Sequence, residues 1–130
     1  MERGAYVAGA SIIYVLYDYV LYDRTMQAGE PREIFFRVSQ LALLGTLTYI
    51  LVDKFGWRTG AAFGALYFSW CFDAGYYALY GHNAWRDEVE SGTVTWAQHT
   101  PAGWFENPTS ARTLKLQMGL GISLSIALLI

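Results

Sequence analysis

Four apolar segments, at residues 5–22, 34–52, 59–80 and 113–130, limit what this chain can fold into more than any other feature. Each is 18 to 22 residues long, and a helix needs about 20 apolar residues to cross a bilayer at a rise of about 1.5 Å each. The pattern predicts an all-α integral membrane bundle of four transmembrane helices, in a single domain over residues 1–130. A soluble helical bundle is the competing class. Composition favours lipid: 54% of residues are hydrophobic and 15% charged, where a soluble domain carries about 25% charged. A mean hydropathy of +0.22 says that the polar connections are a large share of the chain.

The connections set an expected topology. The 53–58 link is short and contains Gly56, which predicts that the second and third segments fold back as a helical hairpin. Pro31 stands before the second segment and Asn107-Pro108 before the fourth, positions where a proline suits a first helical turn. Thr59 is a candidate cap for the third. The long connection, residues 81–112, carries Trp85, Trp96, Trp104 and Phe105 among polar residues, and such rings favour the headgroup level. Part of it is expected on the membrane surface, with residues 83–90 extending the third helix before Gly92. Counting Lys and Arg places Arg3, Lys54 and Arg58 on one side. Arg24, Arg32, Arg37, Arg86, Arg112 and Lys115 fall on the other. That excess predicts cytoplasmic 23–33 and 81–112 connections and external termini.

Two carboxylates in the apolar segments are the residues of interest. Asp18 has Tyr14 and Tyr22 one turn away on its own helical face. Asp73 has Ser69 and Trp70 one turn before it, Tyr76 and Tyr77 one turn after, and Tyr80 beyond. A carboxylate at membrane depth needs hydrogen bonds or a proton, and phenol hydroxyls supply the former. Asp18, Asp73, Tyr14, Tyr22, Trp70, Tyr76 and Tyr77 are therefore the candidate ligand- or proton-binding residues; no catalytic set is legible. The alternative role for both acids is to fasten helices together. Arg37 and Lys115 stand near segment starts, where their side chains can reach the interface.

Other chemistry is thinly represented. His82 and His99 have acidic neighbours at Asp87, Glu88, Glu90 and Glu106, but their spacing matches no metal signature. No metal site and no cofactor is expected. The net charge of −2, with no basic run, gives no footprint for nucleic acid. Cys71 is a single cysteine in an apolar stretch, where a small buried side chain is the ordinary role. Gly60 with Gly64, Ala61 with Ala65, Gly119 with Ser123 and Gly121 with Ser125 form small-residue rows that let helices approach. These features predict a polytopic membrane protein whose partners are the lipid bilayer and either other membrane subunits or copies of itself. Its first expected role is a non-catalytic subunit or assembly factor. The alternatives are a small proton- or cation-coupled transporter or binding protein, and an intramembrane enzyme acting on a lipid or isoprenoid.

Overall fold

The computed structural model describes residues 1–26, 30–81, 85–90, 93–94, 101–106 and 109–130, with side chains throughout except at 22–26, 30–33, 88, 93 and 94. His82, His99, Asn83, Gly92, Trp96 and Asn107-Pro108 lie outside these residues, as does the side chain of Tyr22. The described chain is helical apart from one short strand pair. Helices α1 (Glu2–Met26) and α2 (Glu30–Phe55) are followed by α3 (Trp57–Phe68) and α4 (Cys71–Tyr80). A π-helical turn, Arg86–Glu90, then leads to β1 (Thr93–Val94), α5 (Pro101–Phe105), β2 (Thr109–Ser110) and α6 (Ala111–Leu129). The two strands pair antiparallel, with Thr93 opposite Ser110.

α1 and α2 are long and apolar enough to cross a membrane, over Glu2–Leu21 and Ile34–Phe55. Little of either span is buried in the protein. Ile12, Ile13, Leu16, Phe35, Val38 and Leu41 are exposed. α6 falls short of the same standard, because Arg112, Lys115 and Gln117 occupy its first two turns.

The third segment departs from expectation. Residues 59–80 do not form one helix: α3 stops at Phe68 and α4 begins at Cys71, with Trp70 in the left-handed region at φ 67°, ψ 19°. That conformation costs a bulky residue about 1–2 kcal/mol. Neither Pro nor Gly marks the break in the sequence, and the local bonding shows what sustains it. The Ser69 amide reaches back to Ala65 O, the Trp70 amide to Tyr67 O, and Ser69 Oγ donates to Leu66 O at 3.1 Å, so carbonyls freed at the end of α3 are met locally. Gly121 of α6 lies against this point. A Cβ there would overlap the Ser69 side chain and stand 2.9 Å from Ala65 O.

The small-residue rows are used unevenly. Gly121 and Ser125 are buried on α6, whereas Gly119 and Gly64 have open space where a Cβ would go. Gly60 packs on Val52 and Thr48 of α2. That contact closes the α2–α3 hairpin across Gly56, whose φ of +88° suits the turn. Thr59 is not the α3 cap: Gly56 holds the cap position, and Thr59 Oγ1 donates to Phe55 O instead. α4 ends at Tyr80 ahead of Gly81 with φ +122°, and of the expected extension over 83–90 residues 83 and 84 lie outside the described residues.

Val7, Ala10 and Tyr14 of α1 pack with Leu51, Phe63 and Phe72 as the main core. A second cluster joins Tyr77, Val89, Ala102 and Leu114. At one end of the bundle Lys54 Nζ donates to the Tyr6 hydroxyl at 2.5 Å and lies 4.0 Å from that ring's centre. Arg58 Nη2 donates to Ala127 O. The beginning of α1, the Gly56 turn and the end of α6 thus share that end.

Candidate functional site

α4 comes close to α1 because residue 75 is a glycine: a Cβ there would stand 3.0 Å from Val15 Cγ2. The approach brings Asp73, two residues before Gly75, toward Asp18, three residues after Val15. Both carboxylates line one cavity of about 250 Å³. Tyr14 joins them from α1, Arg37 and Gln40 from α2, Tyr67, Phe68, Trp70, Phe72 and Asp73 from the two sides of the helix break, and Pro101 from α5.

Asp18 is buried, with 9% of its surface exposed. Gln40 Nε2 donates to its Oδ1 at 3.0 Å, and Gln40 Oε1 accepts from Arg37 Nη1 at 3.5 Å. The amide thereby relays between a cation and a carboxylate that make no direct ion pair among the described residues. Asp73 is half-buried in the first turn of α4, where free amides and the helix dipole favour negative charge. The two acids are near enough for their charges to interact, and Arg37 acts on both.

The wall between the acids is aromatic. Tyr14 stands edge-on to Tyr67 with centroids 5.6 Å apart and lies 5.0 Å from Phe72. Tyr14 is 1% exposed, and its hydroxyl is sealed in without a hydrogen bond of normal geometry among the described residues. The Tyr67 hydroxyl is near enough to interact with it.

Asp18, Asp73, Tyr14 and Trp70 were the sequence candidates now found in one place. Tyr76 and Tyr77 are elsewhere. Tyr77 sits in the second cluster with its ring 5.5 Å from Trp85, and Tyr76 packs on Tyr80 and against Tyr19. The cavity gathers around the break and takes from α4 only Phe72 and Asp73 of its first turn, whereas the two rings stand a turn farther along the helix. Arg37, Gln40, Tyr67 and Phe72 were missed. Arg37 reads in sequence as a residue free to reach the interface, and Gln40 carries no signal until α2 is placed beside α1. Lys115, expected to reach the interface, pairs with Glu90 at 2.8 Å. Cys71 is half-buried beside Ser69 Oγ. No group of three or more metal-ligating side chains occurs among the described residues.

No family model, curated protein or solved structure matches the chain.

Proposed function

We propose that this chain is a small multi-pass membrane protein that binds a monovalent cation in exchange for a proton at Asp18 and Asp73. Its four crossings would be α1, α2, the broken α3–α4 pair and α6. A broken helix is tolerated at membrane depth where its freed backbone is buried in protein or lines a cavity, and this break does both. On α6, Arg112 and Lys115 lie within the first two turns, from which long side chains can reach the headgroups.

The observation that carries the proposal is the shared cavity. Two carboxylates and one guanidinium leave one negative charge in excess when all are ionised. A site removed from water tolerates that excess poorly. One proton or one monovalent cation restores neutrality, so the two compete. The rings of Tyr14, Tyr67 and Phe72 supply a surface that attracts cations through their faces. The competing expectation, a non-catalytic subunit or assembly factor, drew on the lack of a reactive constellation in the sequence, on the many aromatic packing residues and on the Trp-bearing connection; the paired acids weigh against the first of these alone.

Proton release tests the proposal. Adding benzylammonium chloride to the protein in lipid nanodiscs, in weak buffer, should release protons in proportion to ligand bound. Asp73→Asn and Asp18→Asn should each reduce or abolish that release. Binding with no proton release in the unmodified protein would contradict the exchange.

A further inference from the structure

A second cavity lies away from the two acids, as a groove of about 370 Å³ between α1 and α2. Tyr6, Gly9 and Ile13 line it from α1, and Leu47, Ile50 and Leu51 from α2. Each set recurs at three- and four-residue spacing, so each is one helical face. Gly9 makes the recess: nothing stands within 4 Å of where its Cβ would be. Tyr6 and Ile13, one turn to either side of Gly9 on that face, are 41% and 51% exposed. They stand where a second helix would have to come close over the glycine, whereas a thin, flexible acyl chain passes between them. Lys54 continues the α2 face, three residues past Leu51 and seven past Leu47, and so closes one end of the groove. Its Nζ donates to the Tyr6 hydroxyl at 2.5 Å, which uses one of three ammonium N–H groups and leaves two. No carboxylate among the described residues pairs with it. Glu2 and Asp53 share that end of the bundle with Arg3, Lys54 and Arg58, so the side chains leave one positive charge in excess.

We propose that this groove seats one acyl chain of an anionic phospholipid, whose phosphate is held by Lys54 and the Tyr6 hydroxyl. The proposal rests on the reading of α1 and α2 as membrane spans. Depth agrees with it. From Tyr6 to Ile13 the groove runs about 10 Å along α1, within the about 15 Å of one leaflet, half of a hydrocarbon core of about 30 Å. Lys54 then stands at the headgroup end, where a long side chain keeps its charge in water. A zwitterionic phospholipid brings the same phosphate, but its own ammonium would meet the positive excess at that end.

The test is native mass spectrometry of the full chain released from detergent micelles after incubation with equal amounts of dioleoylphosphatidylglycerol and dioleoylphosphatidylcholine. The chain should keep one phosphatidylglycerol, favoured about fivefold or more over the zwitterionic lipid, the effect of one lysine beside anionic headgroups. Lys54→Gln should abolish that preference. Gly9→Leu, whose Cβ meets nothing within 4 Å, should fill the recess and lower retention of both lipids. Equal retention of the two lipids by the unmodified chain, or a preference that persists in Lys54→Gln, would overturn the headgroup assignment. Retention unchanged in Gly9→Leu would overturn the groove as the seat, and a dimer that Gly9→Leu dissociates would put a second copy there instead. The comparison of the two lipids needs no variant, so it decides even if Gly9→Leu does not fold. A detergent-dependent chain that keeps neither lipid would overturn the lipid site alone, whereas a chain that stays monomeric in water without detergent would overturn the membrane reading beneath it.

Discussion

Gln40 Nε2 donates to Asp18 Oδ1 at 3.0 Å, and this bond joins α2 to α1 at the cavity. Gln40→Leu keeps the approximate volume and removes the only hydrogen-bond partner described for this buried carboxylate. A loss of about 1–2 kcal/mol is expected, the range for hydrogen bonds between membrane helices and to charged groups. Thermal unfolding in detergent checks it. An unchanged midpoint would mean that Asp18 draws its stabilisation from elsewhere.

Gly121 and Gly119 stand on one helix and should respond oppositely to alanine. A Cβ at 121 overlaps the Ser69 side chain, so Gly121→Ala must push α6 from the break in the third segment, at an expected cost of about 1–3 kcal/mol. At 119 nothing lies within 4 Å of the added carbon, and alanine is the better helix former by about 1 kcal/mol. Gly119→Ala should be neutral or stabilising in the same unfolding measurement. Equal effects at the two sites would contradict the packing of α6 described above.

Tyr14→Phe should leave stability unchanged or raise it, because the hydroxyl it removes is buried without a partner of normal geometry and such a group contributes its desolvation cost with no return. The ring contacts with Tyr67 and Phe72 persist. A loss above about 1 kcal/mol, large for a change with no partner to break, would show that the hydroxyl is bonded.

Glu106 gives the polar connection a pH dependence of known sign. Its carboxylate accepts from the Ser110 amide at 3.3 Å, from Ser110 Oγ at 2.8 Å and from Thr113 Oγ1. These bonds, with Thr113 the largest, hold its pKa below the ordinary glutamate value. A folded-state pKa that is depressed stabilises above the unfolded pKa of about 4.3, and the contribution is lost as pH falls from there through the folded value. The side chain is exposed, so the effect is small. Melting curves of the unmodified protein and Glu106→Gln should converge on acidification below about pH 4. A difference that stays constant with pH would contradict these bonds.

Charge in an apolar run was enough to single out Asp18 and Asp73, because carboxylates at helix centres are costly wherever they lie. Tyr14 followed from being one turn before Asp18 on the same face. The same rule applied to Asp73 pointed to Tyr76 and Tyr77, and there it failed at cavity level. Helical spacing gives neighbours on one helix but not which end of that helix lines a cavity: the cavity takes Phe72 and Asp73 from α4, and the rings a turn farther on meet Tyr19, Tyr80 and Trp85. The break has no proline or glycine to announce it. Of its supports, the Ser69 bonds are local ones that any serine in a helix can make, and the approach of Gly121 is tertiary. Arg37 and Gln40 were illegible for a related reason: polar residues in the first turns after a segment start read equally well as interfacial. The helices themselves, 2–26, 30–55 and 111–129, were visible as apolar runs, each beginning or ending a few residues from where hydropathy alone put it.

Native mass spectrometry of the protein extracted with its own lipid tests the central claim most directly, since it records both bound chains and bound small molecules. The account expects the chain alone or with copies of itself, retaining a small cationic molecule that is lost in Asp73→Asn. Stoichiometric unrelated chains with no small molecule retained would contradict it, and would make the Asp18–Asp73 cavity a feature of packing within a larger complex.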